Sequence, residues 1–473
     1  MSFASFGFLL AFLPAALVGY WLVARWGPQA AMAWLILCSV AFYPMEHWPV
    51  LAASVAGNAL LGHWVRATEA TPRAQTLVLA MGIALNLVGM AIGRSLASAP
   101  PGISFIAFTQ IGWLLDQRGH PPPPVKPEDD GRKRLVHPFL VLFFPHLIAG
   151  PILRLRDVED QCAAPATWRP NGENLAAGGL ILLIGLLKKT LLANPLGVLV
   201  TPGFADPEAL GLVAAWGTAL AWSFQLYFDF SGYSDMAVGL ARMFGVRIPV
   251  NFASPYKAQS VIDYWQRWHM TLTQFLMSTV FNPLAMAAMR WRRARGLATN
   301  RDAQRTVGGF GTMLLAPLAT TMVLAGLWHG ATLPYLVFGL VHAGYLGINH
   351  AWRVFRPGQR RPDRYAVVGR VALTYLFVLL ASVVFRAPTL DVAGTLFAGM
   401  LGLHAGEAHV HAGLHALWLA GLAGIVWCMP NTQQIVDGDV WRPTLPWAVA
   451  AGCAATLGLL SLGGTHEFVY FQF

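Results

Sequence analysis

Two short stretches hold the residues best suited to chemistry: "YWQRWHMTLT", which carries His269, and "AGLWHGATLP", which carries His329. Each sets a histidine beside tryptophan in a long apolar context. An imidazole in hydrocarbon is costly unless it faces a protein interior or a wet cavity, so an intramembrane histidine is a functional candidate by default. Histidine is also the side chain whose proton moves most readily near neutral pH. One such residue is often structural. Two on separate segments that converge would make an acid–base site.

The elements that position them follow from composition. Hydrophobic residues are 56% of the 473 and charged residues 11%, against roughly 25% charged in a soluble domain. The fold class is therefore an all-α polytopic membrane protein. The net charge of +10 sits in short basic runs between apolar segments, the pattern of cytoplasmic loops. No continuous basic stripe marks a nucleic-acid surface. The N-terminal "MSFASFGFLLAFLPAALVGYWLVARW" has no basic n-region or clean cleavage site, so it reads as a retained first helix.

Apolar runs place spanning or half-spanning segments near 3–24, 30–43, 48–65, 75–97, 103–115, 135–150, 175–200, 209–228, 233–245, 308–328, 332–352, 367–385, 390–403, 411–428 and 445–462. Several fall short of the roughly 20 residues of a full crossing. Those are read as re-entrant or broken helices, which protein or a wet cavity must cover. Residues 116–134, "DQRGHPPPPVKPEDDGRKR", read as an extended, solvated loop.

Two arginine groups orient the His329 region. Arg290, Arg292, Arg293, Arg295, Arg301 and Arg305 form one basic loop, and Arg353, Arg356, Arg360, Arg361, Arg364 and Arg370 another. Both are expected in the cytoplasm. His329 lies about 24 residues, or roughly 36 Å of helix, from each. It is expected deep in the membrane or towards the outer face, at the tip of a hairpin. His269 follows Lys257, Asp263 and Arg267 in a stretch too polar to span, read as an amphipathic or re-entrant segment with Trp265 and Trp268 beside it. The two cations there would discourage a further positive charge on its ring.

A third polar group is "QLYFDFSGYSDMAVGL", where Asp229 and Asp235 flank Ser231 and Tyr233. Unpaired carboxylates there would be expensive. They are expected to bond hydroxyls, amides or Arg242, either as a helix-breaking structural knot or as the lining of a substrate cavity. Other chemistries are unsupported: no GxSxG elbow, HExxH or phosphate loop occurs. The cluster His404, Glu407, His409, His411 and His415 reads as a wet loop or helix end, and no metal site is assigned. Cys38, Cys162, Cys428 and Cys453 have no CxxC spacing and read as small buried hydrophobes.

Eight motifs occur in an order that resembles the membrane-bound O-acyltransferase (MBOAT) family, in its bacterial alginate O-acetyltransferase-like branch. They are "PPGISFIAFTQIGWLLD", "FFPHLIAGPILR", "YFDFSGYSDMAVGLARMFG", "NFASPY" at 251–256, "YWQRWHMTLTQFL", "GLWHGA", "VVFRA" and the final "EFVYFQF". The resemblance implies one integral domain over 1–473, with about eleven or more transmembrane helices and re-entrant pieces around a central tunnel. It implies a multi-pass protein of the bacterial inner membrane. By analogy His329 is the catalytic histidine and His269 the second active-site histidine. Trp328, Trp268, Trp265, Asp229, Ser231, Tyr233, Asp235 and Asn251 would line the substrate site or tunnel.

The implied donor is a thioester, acetyl-CoA as a co-substrate, with no tightly bound cofactor. The implied acceptor is an extracytoplasmic polysaccharide, alginate or another such as cellulose or peptidoglycan. It would be reached directly or through a periplasmic SGNH-type acyltransferase partner. The alginate relatives continue after the Trp-His motif with an Arg-Asp pair and a "YIPLGG"-like turn. This chain instead reads "LTQFLMSTVFNPLAMAAMRWRRARG", which leaves substrate and partner open. A reading from another class is a transporter or flippase for a lipid-linked sugar. It would share the polytopic build but would need no paired histidines, and no internal repeat supports it.

Overall fold

Proline marks where many of the helices begin. Pro14 and Pro317 lie inside the longer helices Phe8–Trp26 and Val307–His329, just after π turns, but elsewhere proline takes the first or second position of a helix, in Pro28–Phe42, Trp48–Ala67, Pro72–Ser95, Leu333–Phe355 and Leu445–Leu460. The missing N–H costs nothing there, because first-turn donors have no helical partner. Elsewhere side chains cap the orphan donors: Asp363 accepts from Ala366 N–H and Thr389 from Val392 N–H.

The computed structural model describes residues 1–96, 98–118, 130–356, 363–404, 406, 412–438, 440–442 and 444–462. Among these the secondary structure is helical, with no strand element. Among the described residues five helices are long and apolar enough to cross a membrane: Phe8–Trp26, Pro72–Ser95, Gly172–Ala205, Val307–His329 and Arg364–Arg386. Pro28–Phe42 and Met45–Ala67, bent by 109°, make a sixth candidate as one broken span. The chain is thus a multi-pass membrane protein. Its outer faces agree: Leu77, Leu85, Val88 and Ile92 on Pro72–Ser95 are all more than half exposed, which suits lipid and not water.

By its contacts the chain divides into two compact units. One is built from Met1–Leu187, Gly232–Asn251 and the described residues from Thr432 on; the other from Lys188–Ser231 and Phe252–Asn431. In the first, Phe3, Phe8, Phe42 and Phe144 are fully buried against one another. Asn58 and Asn86 exchange amide hydrogen bonds at 2.7 and 3.2 Å between neighbouring helices, polar glue of the kind bilayers favour. The helix Gly172–Leu187 crosses the 232–243 stretch on glycine: a Cβ on Gly178 or Gly185 would sit 2.6 or 2.5 Å from a backbone oxygen of the other strand of the crossing.

Several expectations change. The segments 209–228 and 233–245 are one continuous helix, Leu212–Met243. Ser231, Gly232 and Ser234 do not break it, and the carboxylates beside them find partners outside the helix. Residues 130–134 of the expected loop are helical, in Asp130–Leu142, while 119–129 lie outside the described residues. So do the final "EFVYFQF", residues 357–362, and Glu407, His409 and His411. Among the described residues no group of three or more His, Cys, Asp and Glu could hold a metal ion. Cys38 and Cys162 are buried as expected, but Cys428 and Cys453 are exposed on apolar helices.

In the second unit Lys189 and Asp229 form an ion pair at 2.5 Å with side chains 5% and 1% exposed. Lys189 lies in a π-helical turn, Lys188–Ala193, that widens the helix and lets the side chain reach inward. Removing one partner strands a buried charge, which costs about 3–5 kcal/mol, whereas replacing both with apolar groups costs far less. Lys189→Met alone is expected to lower the melting temperature in detergent sharply, and Lys189→Met with Asp229→Leu to recover most of the loss. A double variant less stable than the single would show that the pair is not coupled in this way.

Candidate active site

The second unit folds His329 and His269 onto one cavity. His329 is the last residue of Ala316–His329, and Gly330 to Thr332 turn the chain into Leu333–Phe355. The two helices pack as the expected hairpin. Gly326 and Gly339 permit it, since a Cβ on either would meet backbone of the opposite helix at 2.2 or 2.6 Å. Val307–His329 is 23 residues long, so His329 sits one full helix length from the arginines at 290–305. Its ring contacts Trp328 at 4.6 Å, Phe385 at 4.7 Å and Tyr335 at 5.9 Å between centroids.

His269 arrives differently. The chain from Phe252 to Phe281 runs through short pieces: a turn at Pro255–Lys257, helix Val261–Trp265, helix Met270–Leu276 and a π turn at Met277–Phe281. Its loose ends are tied to side chains and carbonyls. Ser260 caps Val261–Trp265 and also accepts from Arg353 at 3.1 Å. Arg267 pairs with Asp263 at 2.7 Å, and Ala253 N–H donates to the Arg267 carbonyl at 3.0 Å. Lys257 donates to the Met429 carbonyl at 2.7 Å, and Trp427 Nε1 to the Tyr256 carbonyl at 2.9 Å. The stretch is thus irregular backbone in short helical pieces, held by side-chain ties. Of the two cations expected to act on the ring, Arg267 is offset by its pair with Asp263, while Lys257 bonds a neutral carbonyl and keeps its charge.

His269 itself has φ 44°, one of two non-glycine residues with positive φ among those described. This left-handed conformation is strained for most residues and clusters at functional sites. It lets the chain turn into the helix Met270–Leu276 while burying the ring, which is 2% exposed. That ring meets Phe230 edge-on at 4.8 Å and Trp328 at 6.2 Å. Trp328 thus touches both histidines.

The cavity has a volume of about 40 Å³, and its walls include His269, His329, Trp265, Trp268, Tyr256, Tyr264 and Phe385. Trp268 stacks between Tyr264 and Tyr256, with interplanar angles of 18° and 13°. The Tyr256 hydroxyl donates to the Ser223 carbonyl at 2.9 Å, while Ser223 Oγ donates to it at 2.9 Å. Rigid aromatic walls surrounding a few nitrogen atoms can hold a small apolar group and offer it a base and donors.

Not every candidate gathers here. Trp265, Trp268, His269 and His329 line the cavity, with Trp328 packed against both histidines. Asp229 and Ser231 do not line it: Asp229 is turned to Lys189. Tyr233, Asp235 and Asn251 belong to the first unit. There Asp235 accepts from Thr432 at 2.6 Å and Gln433 at 3.3 Å, Asn251 donates to Ser234 at 3.3 Å, and Tyr233 stacks on Phe3. Arg242 pairs with Asp437 and with neither carboxylate of its own helix. One cavity histidine escapes the sequence reading, His342, which is 2% exposed. Its signal, a lone imidazole in the apolar "VFGLVHAGYLG", is the same as that of the other two but lacks a neighbouring tryptophan.

Two histidines folded onto one small aromatic cavity offer a base and a donor to a bound group, and comparison with known proteins says which class of enzyme this is. Residues 140–299 match the profile of the membrane-bound O-acyltransferase family, MBOAT. A protein named "Probable alginate O-acetylase AlgI" from Pseudomonas fluorescens is 33% identical, over 85% of this chain and 75% of its own length. "Peptidoglycan O-acetyltransferase" from Helicobacter pylori is 30% identical, over 84% and 79%. "Teichoic acid D-alanyltransferase" from Bacillus subtilis is 27% identical, over 60% and 68%. The chain belongs to the MBOAT family and is an O-acyltransferase.

The backbone at 269 sharpens what substitution there should do. Asparagine tolerates positive φ better than alanine and keeps a donor, though it has no base. His269→Ala is expected to lower acyl transfer severely, and His269→Asn to keep a measurable part at matched expression. Equal inactivity of the two in folded protein would contradict a hydrogen-bonding role.

Proposed function

We propose that the protein is an inner-membrane O-acetyltransferase. It takes an acetyl group from cytoplasmic acetyl-CoA and delivers it for O-acetylation of an extracytoplasmic polysaccharide such as alginate. Delivery is direct or through a periplasmic SGNH-type partner. The observation that carries the reading is the meeting of His329 and His269 on one cavity. The small, aromatic-walled cavity supports a short acyl group at the reacting position. The relatives named for O-acetylation support the same choice, and their differing acceptors leave the polysaccharide the least constrained part. About eleven or more crossings around a tunnel remain part of the proposal.

In this reading His329 is the general base. It takes the acceptor hydroxyl proton as the oxygen attacks the thioester carbonyl carbon. The C–O bond forms, the tetrahedral oxyanion collapses, and the C–S bond breaks. The thiolate takes the proton back from the imidazolium, giving ester and free thiol. His269 steadies the carbonyl oxygen, orients the acceptor or relays the proton. No serine or cysteine nucleophile is needed, so transfer is direct. The hairpin supports this division: His329 stands a full helix length from the basic loop, and a cytoplasmic basic loop would turn it towards an acceptor arriving from outside.

Loss of a general base costs about 10²–10⁴ in rate. His329→Ala, inserted and folded, is expected to lose acetyl transfer by at least that factor in purified protein supplied with labelled acetyl-CoA. Near-normal transfer would remove His329 from the chemistry. Orientation is checked separately. Ala298→Cys, in a background without Cys428 and Cys453, is expected to resist membrane-impermeant thiol reagents applied outside intact cells. Labelling there would invert the topology and put His329 on the wrong side.

A further inference from the structure

The third histidine of the cavity has its proton placed by a neighbour. Trp265 Nε1–H donates to His342 Nδ1 at 3.3 Å. An indole nitrogen only donates, so Nδ1 carries no proton and the neutral ring holds its hydrogen on Nε2. The ring is also pinned by its contacts. Tyr264 lies nearly parallel to it at 9°, and Trp265, Phe338 and Tyr345 meet it edge-on. His342 lines the cavity with His269 and His329, and no hydrogen bond ties Nε2 to the described residues. A buried N–H of fixed direction at the wall of a small cavity is a donor awaiting an acceptor, since leaving it unmet is costly.

Its depth indicates which acceptor. His342 is midway along Leu333–Phe355, between the His329 turn and Arg353. Arg353 belongs to the basic end, and Ser260, which it contacts, opens the short helix that carries Trp265. Side chains of a helix lean towards its N-terminus, so His342 leans towards His329. It therefore stands on the basic-loop side of His329, where a cytoplasmic donor would enter.

We propose that His342 is a catalytic residue that donates its Nε2–H to the carbonyl oxygen of the acyl thioester, with Trp265 as the positioning residue that sets its tautomer. The proposal rests on the acyl-transfer reading of the cavity. No bond is made or broken at His342: the hydrogen bond tightens as the carbonyl oxygen gains negative charge and relaxes when the thiolate leaves.

The test measures kcat and KM for acetyl-CoA in four purified variants. His342→Phe keeps an aromatic ring in the stack and deletes the donor. It is expected to lower kcat about 10²–10³-fold, the usual cost of one oxyanion donor. His342→Gln can place an amide N–H near the old Nε2 and is expected to stay within about tenfold of wild type. Trp265→Phe frees the tautomer and is expected to fall between them. His329→Ala is the control. If it is inactive and His342→Phe keeps wild-type kcat, or if the Gln and Phe variants are equally slow while folded, the His342 assignment is overturned alone. A rise in KM with unchanged kcat also overturns it, since the contact would then lie away from the reacting carbonyl. If His329→Ala is itself fully active, the cavity is not the site, and the assignment falls with the reading beneath it.

Discussion

Backbone that leaves the helix inside a bilayer must be covered by protein, because hydrocarbon offers no hydrogen-bond partner. In this chain the stretch from Phe252 to Phe281 depends on that constraint more than any other. It abandons regular helix to bring His269 inward at a left-handed turn. Ser260, Arg267, Asp263, Lys257 and Trp427 meet its exposed groups. These ties hold the segment where His269 meets Trp328.

The hairpin supplies the other half on opposite terms. Ala316–His329 and Leu333–Phe355 are regular helices brought close by glycine at 326 and 339. One rigid arm therefore presents His329 at its tip and His342 midway down. An irregular, tied-down segment facing a rigid hairpin lets three imidazoles share about 40 Å³. Such preorganisation is what stabilises charge in a transition state without further rearrangement.

Much of this was legible in the amino-acid order. Apolar runs located the long apolar helices but not the shorter or more polar ones such as Leu155–Ala163 and Asn282–Ala294, and the arginine groups at 290–305 and 353–370 framed the hairpin whose tip is His329. The polar residues of the 227–245 motif were read less well, for a physical reason. Asp229, Ser231, Tyr233 and Asp235 look like a broken, cavity-lining segment only while their partners are unknown. Lys189 and Thr432, distant in sequence, satisfy the two carboxylates and leave the helix continuous. His342 was missed because local sequence does not show that Trp265, 77 residues away, reaches its ring. The short helices Val261–Trp265 and Met270–Leu276 have no apolar period long enough to read; side-chain ties hold them.

The account's central claim is that the reacting acyl carbon sits in the cavity shared by His269 and His329. It is tested most directly by an experimental map of the purified protein with a non-reactive acetyl-CoA analogue whose sulfur is replaced by methylene. The account expects the acetyl carbonyl inside that cavity, its carbon facing His329 and its oxygen within hydrogen-bond reach of a histidine N–H. An analogue bound with its acetyl group outside the cavity, beyond reach of all three imidazoles, would contradict it.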